Sequence, residues 1–415
     1  MDKEVFADSG KLKNIGFGVL VASFIAVCFA PSTLMFTRLE NLLLPIVVVV
    51  LLASNIIRFQ FVFFLALSSF FLFDLVTIFL NGEGIAEVSF AFRTLKILLI
   101  LILATQIFHE YMAWFNMVIR GVFLLVAMII FIEALDLFGI NENLFKFFTH
   151  HSLDDYRRLD SNRIIGTMMN PNNNGVLLTC FCAYFMSAFY YHRKRIDIVF
   201  IALSIVLLIL AQSRTALIAV VVMAIPFVLS FQITKKTILL ILGSVILILF
   251  LMYKLELNYM MALLTMNPLE INELRGRFPG WIYMLDAWSE HRILGVGPFA
   301  DTFNTKAIVA PDSEYLYVLS SRGIIGFLCY VTLLIYPIVL FWNKRREIEH
   351  GLLAVLISVA FMIIGITNFS ILNVRIGVIY AILIGIPFSY LLYKSEASKL
   401  FGAIPGFGSL IKKSR

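Results

Sequence analysis

Long apolar runs broken by short polar stretches dominate the chain, with neither the alternation of a half-buried strand nor the one-faced stripe of a soluble helix. A membrane-spanning helix needs roughly 20 mostly apolar residues. By that measure about twelve spans are expected, near 15–33, 42–58, 60–80, 87–107, 114–137, 173–191, 197–212, 215–231, 236–254, 315–342, 351–370 and 374–393. Segments 197–212 and 215–231 are short and nearly fused, so that one of them suits a tilted or partial span. Two longer polar stretches, 138–172 and 255–314, read as loops on one side.

Lysine and arginine in the short connections set the orientation. With the N-terminus inside, Arg193–Arg195, Lys235 and Lys236, and Lys344–Arg346 all fall on the inner face. Lys394, Lys399, Lys412, Lys413 and Arg415 fall there too. Both termini are then cytoplasmic and both long loops extracytoplasmic. The expected fold is all-α: one polytopic membrane domain over residues 1–415, with a basic cytoplasmic tail over 395–415. The tail, with Phe401, Phe407 and basic ends, suits either the inner membrane surface or a disordered segment. The apolar first segment reads as a retained helix, since no small-residue cleavage site follows it.

Composition agrees: 61% hydrophobic and 14% charged, against about 25% charged in soluble domains. The net charge of +7 resides in loops, which argues against a nucleic-acid partner. Four cysteines, Cys28, Cys180, Cys182 and Cys329, lie in apolar runs and read as core residues.

The informative residues break the pattern. Arg214, in a turn between two spans, begins the helix TALIAVVV, and Arg375 opens the last span. A helix N-terminus with an arginine fork suits phosphate oxygens, while an arginine reaching up to the interface is the plainer alternative. Asp74 and Arg93, inside neighbouring spans and equally distant from their connection, are expected to form an intramembrane ion pair. His150, His151, Asp154 and Asp155 read as a solvated loop rather than a metal site, and no metal or other cofactor is expected. The run IIGTMMNPNNNG ends in a turn and helix-cap signal. Trp281, Leu285 and Trp288 share a helical face, suggesting an interfacial helix with Arg275 and Arg277 at its beginning, and Gly295 and Gly297 mark a tight turn.

Taken in order, RIIGTMMNPNNNG, QSRTAL, RGRFPGWIYML with GVGPF, and DSEYLYVLSSRGIIG resemble the bacterial O-antigen polymerase and ligase superfamily over roughly residues 160–330. The resemblance implies a membrane glycosyltransferase of type C-like fold in the bacterial inner membrane, with its active site facing the periplasm. Its donor would be a glycan on undecaprenyl pyrophosphate, and its acceptor a second lipid-linked repeat unit. A chain-length regulator would be a further partner. It implies that Arg214 and Arg277, with Arg275 beside them, hold the pyrophosphate without a metal. Where the ligase branch has His-Asn, this chain reads Asp312-Ser313-Glu314-Tyr315, which is closer to the polymerase branch. Asp312 is the first candidate for the general base and Glu314 the second, with helix capping as the alternative for both. Arg322, Arg163 and Tyr315 are candidates for orienting acceptor or phosphate. An O-antigen ligase acting on lipid A-core is the alternative function within the family. A polysaccharide flippase or transporter is the alternative outside it, although charges gathered at the outer edge and the lack of a repeat favour an enzyme.

Overall fold

In the computed structural model, residues 2–29, 47, 66, 68–76, 85–136, 139, 141–148, 163–168, 170–231, 268–297 and 313–402 are described. These residues are helical or lie in turns, with no strand among them. The helices are α1 (Asp2–Phe29), α2 (Ile85–Leu135), α3 (Asn141–Phe148), α4 (Pro171–His192), α5 (Arg195–Ala211), α6 (Arg214–Leu229), α7 (Pro268–Glu290), α8 (Glu314–Lys344), α9 (Gly351–Ile364) and α10 (Val374–Gly402). Residues 68–76 are also helical. Among the described residues, stretches of five helices, α1, α2, α4, α8 and α10, are long and apolar enough to cross a membrane.

Burial sorts these helices into centre and rim. The apolar windows of α4 and α10 are 83% buried, whereas those of α2 and α8 are 33% buried. The rim helices turn large apolar side chains outward: Trp114, Met117, Leu124 and Met128 from α2, Val199 from α5, Leu328 and Val339 from α8. In water such a surface would be a liability, and in lipid it costs nothing. The inner helices interlock through small residues. A Cβ on Gly385 of α10 would meet Ala104 of α2 at 2.4 Å, and one on Gly377 would meet Ile97 at 2.5 Å.

Several boundaries differ from expectation. The spans expected at 87–107 and 114–137 belong to one helix of 51 residues, because the link between them, FHEYMA, contains no proline or glycine to end it. Its contour of about 75 Å exceeds twice the hydrocarbon thickness of a bilayer. The expected spans 197–212 and 215–231 are two distinct helices, α5 and α6, parted by Gln212 in the left-handed conformation at φ 51°. The last-but-one span ends early at Ile364, leaving 365–373 as a turn, and α10 continues helical into the tail as far as Gly402. The span expected at 236–254, the ligand-like residues His150 to Asp155, and most of 42–58 and 60–80 lie outside the described residues.

Polar contacts collect at the two ends of the central helices. At one end Lys13 meets Glu110, the Ser389 hydroxyl accepts from the His109 backbone N–H at 3.0 Å, and Lys394 reaches Glu347 at 3.5 Å. Arg120 of α2 pairs with buried Asp197 of α5 at 2.6 Å. At the other end lie the starts of α4, α6, α8 and α10.

Candidate functional site

The start of α4 is built by its own sequence. Asn170 caps the helix, its side chain accepting from the backbone N–H groups of Asn172 at 2.8 Å and Asn173 at 3.4 Å, and Pro171 supplies a first-turn residue with no N–H to satisfy. Just before it, Arg163 is buried and donates to the Asn172 side chain at 2.7 Å. Glu133, in the last turn of α2, accepts from the backbone N–H groups of Ile165 at 2.8 Å and Gly166 at 2.9 Å. It thereby clamps the segment leading into the cap. Gly166 has φ +55°, and a Cβ there would collide with the Asn174 amide at 2.5 Å, so glycine is required on both counts.

The next glycine of the motif brings in the second motif. A Cβ on Gly175 would lie 2.5 Å from the Ser213 side chain, which allows the start of α4 to lie directly against the QSRT turn. Ser213 is the N-cap of α6 and Arg214 its half-buried first residue. Between these two helix starts, the Asn174 amide and the Thr167 and Ser213 hydroxyls are fully buried and make no hydrogen bond. Such groups are rare in folded proteins.

From Arg214 the contacts run on to the third motif. Thr215 hydrogen-bonds Thr367 at 2.6 Å, hydroxyl to hydroxyl, in the turn between α9 and α10. That turn is held to the start of α8 by Glu314, whose carboxylate accepts from Ser370 N at 2.7 Å, from Leu372 N at 2.6 Å and from the Ser370 hydroxyl. The Glu314 N–H in turn donates to Gly365 O at 3.0 Å. Glu314 is fully buried and so employed as a staple. Tyr315 is engaged in the same seam, donating to Met362 O at 2.9 Å.

The glycines of GVGPF and SSRGIIG also answer one another. Gly323 has φ 61° and ψ −167°, opening α8 at that point. The freed carbonyls of Ser320 and Ser321 accept from Val296 N at 2.9 Å and Gly297 N at 2.8 Å, while Ile324 N donates to Arg292 O at 2.9 Å. A Cβ on Gly295 would strike the Arg322 backbone at 2.4 Å, and one on Gly323 would strike Ile293 O at 2.2 Å. The two loops fit only without side chains. This interlock ties the end of α7 to α8, and Met284 of α7 completes the seam by packing with Tyr317.

Arg322, a candidate for orienting acceptor or phosphate, is engaged inside the bundle. It is 2% exposed, donates through Nε to Asp74 at 2.6 Å, and lies 4.3 Å from the Phe70 ring centroid. Thr94 also donates to Asp74, at 3.0 Å, and Arg93, the partner expected for Asp74, is an exposed residue of the same helix as Thr94. Besides the expected neighbour, the fold offers Asp74 a buried guanidinium 248 positions away.

α7 begins at Pro268, so Arg275 and Arg277 lie two turns inside it rather than at its beginning. The side chains of Arg275 and Arg277 lie outside the described residues, as does Asp312. The more buried face of α7 carries Gly280 and Met284, rotated from the expected stripe, since Leu285 is exposed.

The described parts of four motifs scattered along the chain are thus drawn to one end of the bundle: NPNNNG, QSRT, GVG and SEYLYVLSSRG. Residues 199–331 match the O-antigen ligase family. The matched segment contains Arg214, Arg275, Arg277, Asp312, Glu314 and Arg322, and it is consistent with the resemblance to the O-antigen polymerase and ligase superfamily. Comparison with curated proteins gives no match. Members of this superfamily are membrane glycosyltransferase-like enzymes that use lipid-linked sugars, which suits the arginine at the start of α6. Glu133, Asn174, Ser213 and Thr367 escaped the sequence reading. Only Glu133 had a visible signal, as an acidic residue in the apolar run FIEAL.

For Glu314 the geometry yields a direct expectation. Glu314→Gln places an amide donor against N–H donors, so the variant is expected to lose about 1–3 kcal/mol of stability. Thermal unfolding of the purified chain measures this. Turnover per folded molecule is expected to stay near wild type, and its complete loss would return Glu314 to the chemistry.

Proposed function

We propose that this chain polymerises lipid-linked glycan repeat units. It transfers a glycan from undecaprenyl pyrophosphate to a sugar hydroxyl of a second lipid-linked unit, inverting the anomeric carbon and using no metal. The observation that carries this reading is the contact series from Arg214 through Thr215 and Thr367 to Ser370 and Glu314, which sets the QSRT arginine beside the DSEY element. A candidate anion-holding group and the Ser313–Glu314 start of α8, from distant parts of the sequence, are thereby linked at one end of the bundle, which supports this reading.

In the proposed reaction the acceptor oxygen forms a bond to the anomeric carbon as the bond from that carbon to the pyrophosphate oxygen breaks. The acceptor proton passes to Asp312, and undecaprenyl pyrophosphate departs. Charge grows on the leaving oxygen, where Arg214 and Arg277, assisted by Arg275, stabilise it. Fixed guanidinium groups do this best because they need no reorganisation. Arg163 and Tyr315 hold the segments around the site, and Glu314 positions the DSEY element. The site faces the periplasm, both termini are cytoplasmic, the membrane is the bacterial inner membrane, and a chain-length regulator acts as partner.

The ligase reading shares the donor and the arginines and differs in its acceptor. The description of the matched family favours it, whereas aspartate in place of the ligase histidine favours polymerase. The test is reconstitution: purified chain in liposomes with a lipid-linked repeat unit alone. A ladder of lipid-linked products is expected, with Asp312→Asn slowing it about 10²–10⁴-fold. Full activity of Asp312→Asn would remove it as base, and absence of a ladder until a lipid A-core acceptor is added would select the ligase.

A further inference from the structure

At the end of the bundle opposite this site, we propose that His192, Glu349 and His350 form a binding site for a divalent transition metal, with zinc as the best fit. His192 is the last residue of α4, and Glu349 and His350 form the turn that enters α9. One ligand atom from each residue lies within 4.8 Å of the other two. His192 Nε2 is 3.6 Å and His350 Nε2 is 4.0 Å from Glu349 Oε1.

His350 is the telling member. It is fully buried, yet neither ring nitrogen makes a hydrogen bond. An imidazole carries a donor and an acceptor that are nearly always satisfied when buried. It is held in the left-handed conformation at φ 59° and ψ 11°, uncommon for a residue with a side chain, and its ring stacks on Tyr184 at 5.8 Å. Tyr390 closes another side of the cluster, its ring 6.2 Å from that of His350.

Two imidazoles and one carboxylate suit zinc, cobalt or nickel, whereas magnesium and calcium prefer all-oxygen shells. Three protein ligands leave a fourth position for water. Zinc bonds of about 2.0–2.1 Å need the three atoms drawn together, and the mobile parts are the partly exposed side chains of His192 and Glu349. The metal would clasp the end of α4 to the start of α9, two helices whose other ends carry Asn170 and the turn bonded to Glu314. The site rests on its own geometry and does not depend on the glycosyltransferase reading.

The experiment uses the full chain, purified without a polyhistidine tag and held in nanodiscs, titrated with Zn²⁺ by calorimetry and with Co²⁺ by visible absorption. One Zn²⁺ per chain, an intense tetrahedral Co²⁺ spectrum and a zinc-dependent rise in Tm are expected. His192→Ala and Glu349→Gln, both on the accessible side, are expected to weaken Zn²⁺ at least tenfold and abolish the tetrahedral spectrum. His350→Ala is avoided because it opens a cavity in the core. Equal zinc affinity in wild type and His192→Ala, or no binding to wild type, would overturn the proposal and leave an ion pair only.

Discussion

Replacing Arg277 or Arg214 by alanine is expected to abolish long polysaccharide chains while leaving the protein in the membrane at normal abundance. In the proposed reaction the leaving pyrophosphate gains charge as the glycosidic bond breaks, and loss of one fixed donor to such a centre costs about 10²–10³-fold in rate. A polymer needs many successive transfers, so each addition carries that penalty and the long chains disappear first. Lysine at either position is expected to restore little, because it offers a point charge where a planar fork is needed. The readout is the chain-length ladder of extracted polysaccharide beside an immunoblot of the membrane fraction. A normal ladder in both alanine variants would end the pyrophosphate role.

The largest effect on stability is expected at Asp74 and Arg322. The two are 0% and 2% exposed and 2.6 Å apart, so removing either takes a close ionic partner from the other, which stays buried. Breaking such a pair costs about 3–5 kcal/mol. Asp74→Asn and Arg322→Ala are both expected to lower the Tm of the purified chain steeply and to reduce its level in the membrane. Replacement of both by apolar residues, as in Asp74→Leu with Arg322→Met, is expected to recover much of that loss. A double variant no more stable than the singles would show that Arg322 does more than balance Asp74.

The sequence was readable wherever a local rule decides the structure. NPNNNG reads as a proline-led, asparagine-capped start, and α4 begins there. QSRT reads as a turn between spans, and Gln212 and Ser213 make it. It was less readable where the deciding partner is remote. FHEYMA holds two polar residues that look like a connection, but no residue in it breaks a helix, so α2 runs through. Asp74 has a plausible neighbour in Arg93, and nothing near it in the chain announces Arg322, which comes from α8. Glu314 has the chemistry of a base, and only the fold reveals that Ser370 and Leu372 occupy its oxygens. Likewise Gly295 and Gly323 each signal a special backbone, yet nothing in the order of residues says that each makes room for the other.

The central claim is that the chain lengthens a lipid-linked glycan. The most direct measurement is to delete its gene in the host, complement with wild type or Arg277→Ala, and resolve the surface polysaccharide by chain length. Loss of the long chains is expected in the deletion strain, with a single repeat unit still reaching its acceptor, rescue by wild type and none by Arg277→Ala. Long polymer persisting on its lipid carrier without transfer to lipid A-core would contradict it and identify a ligase.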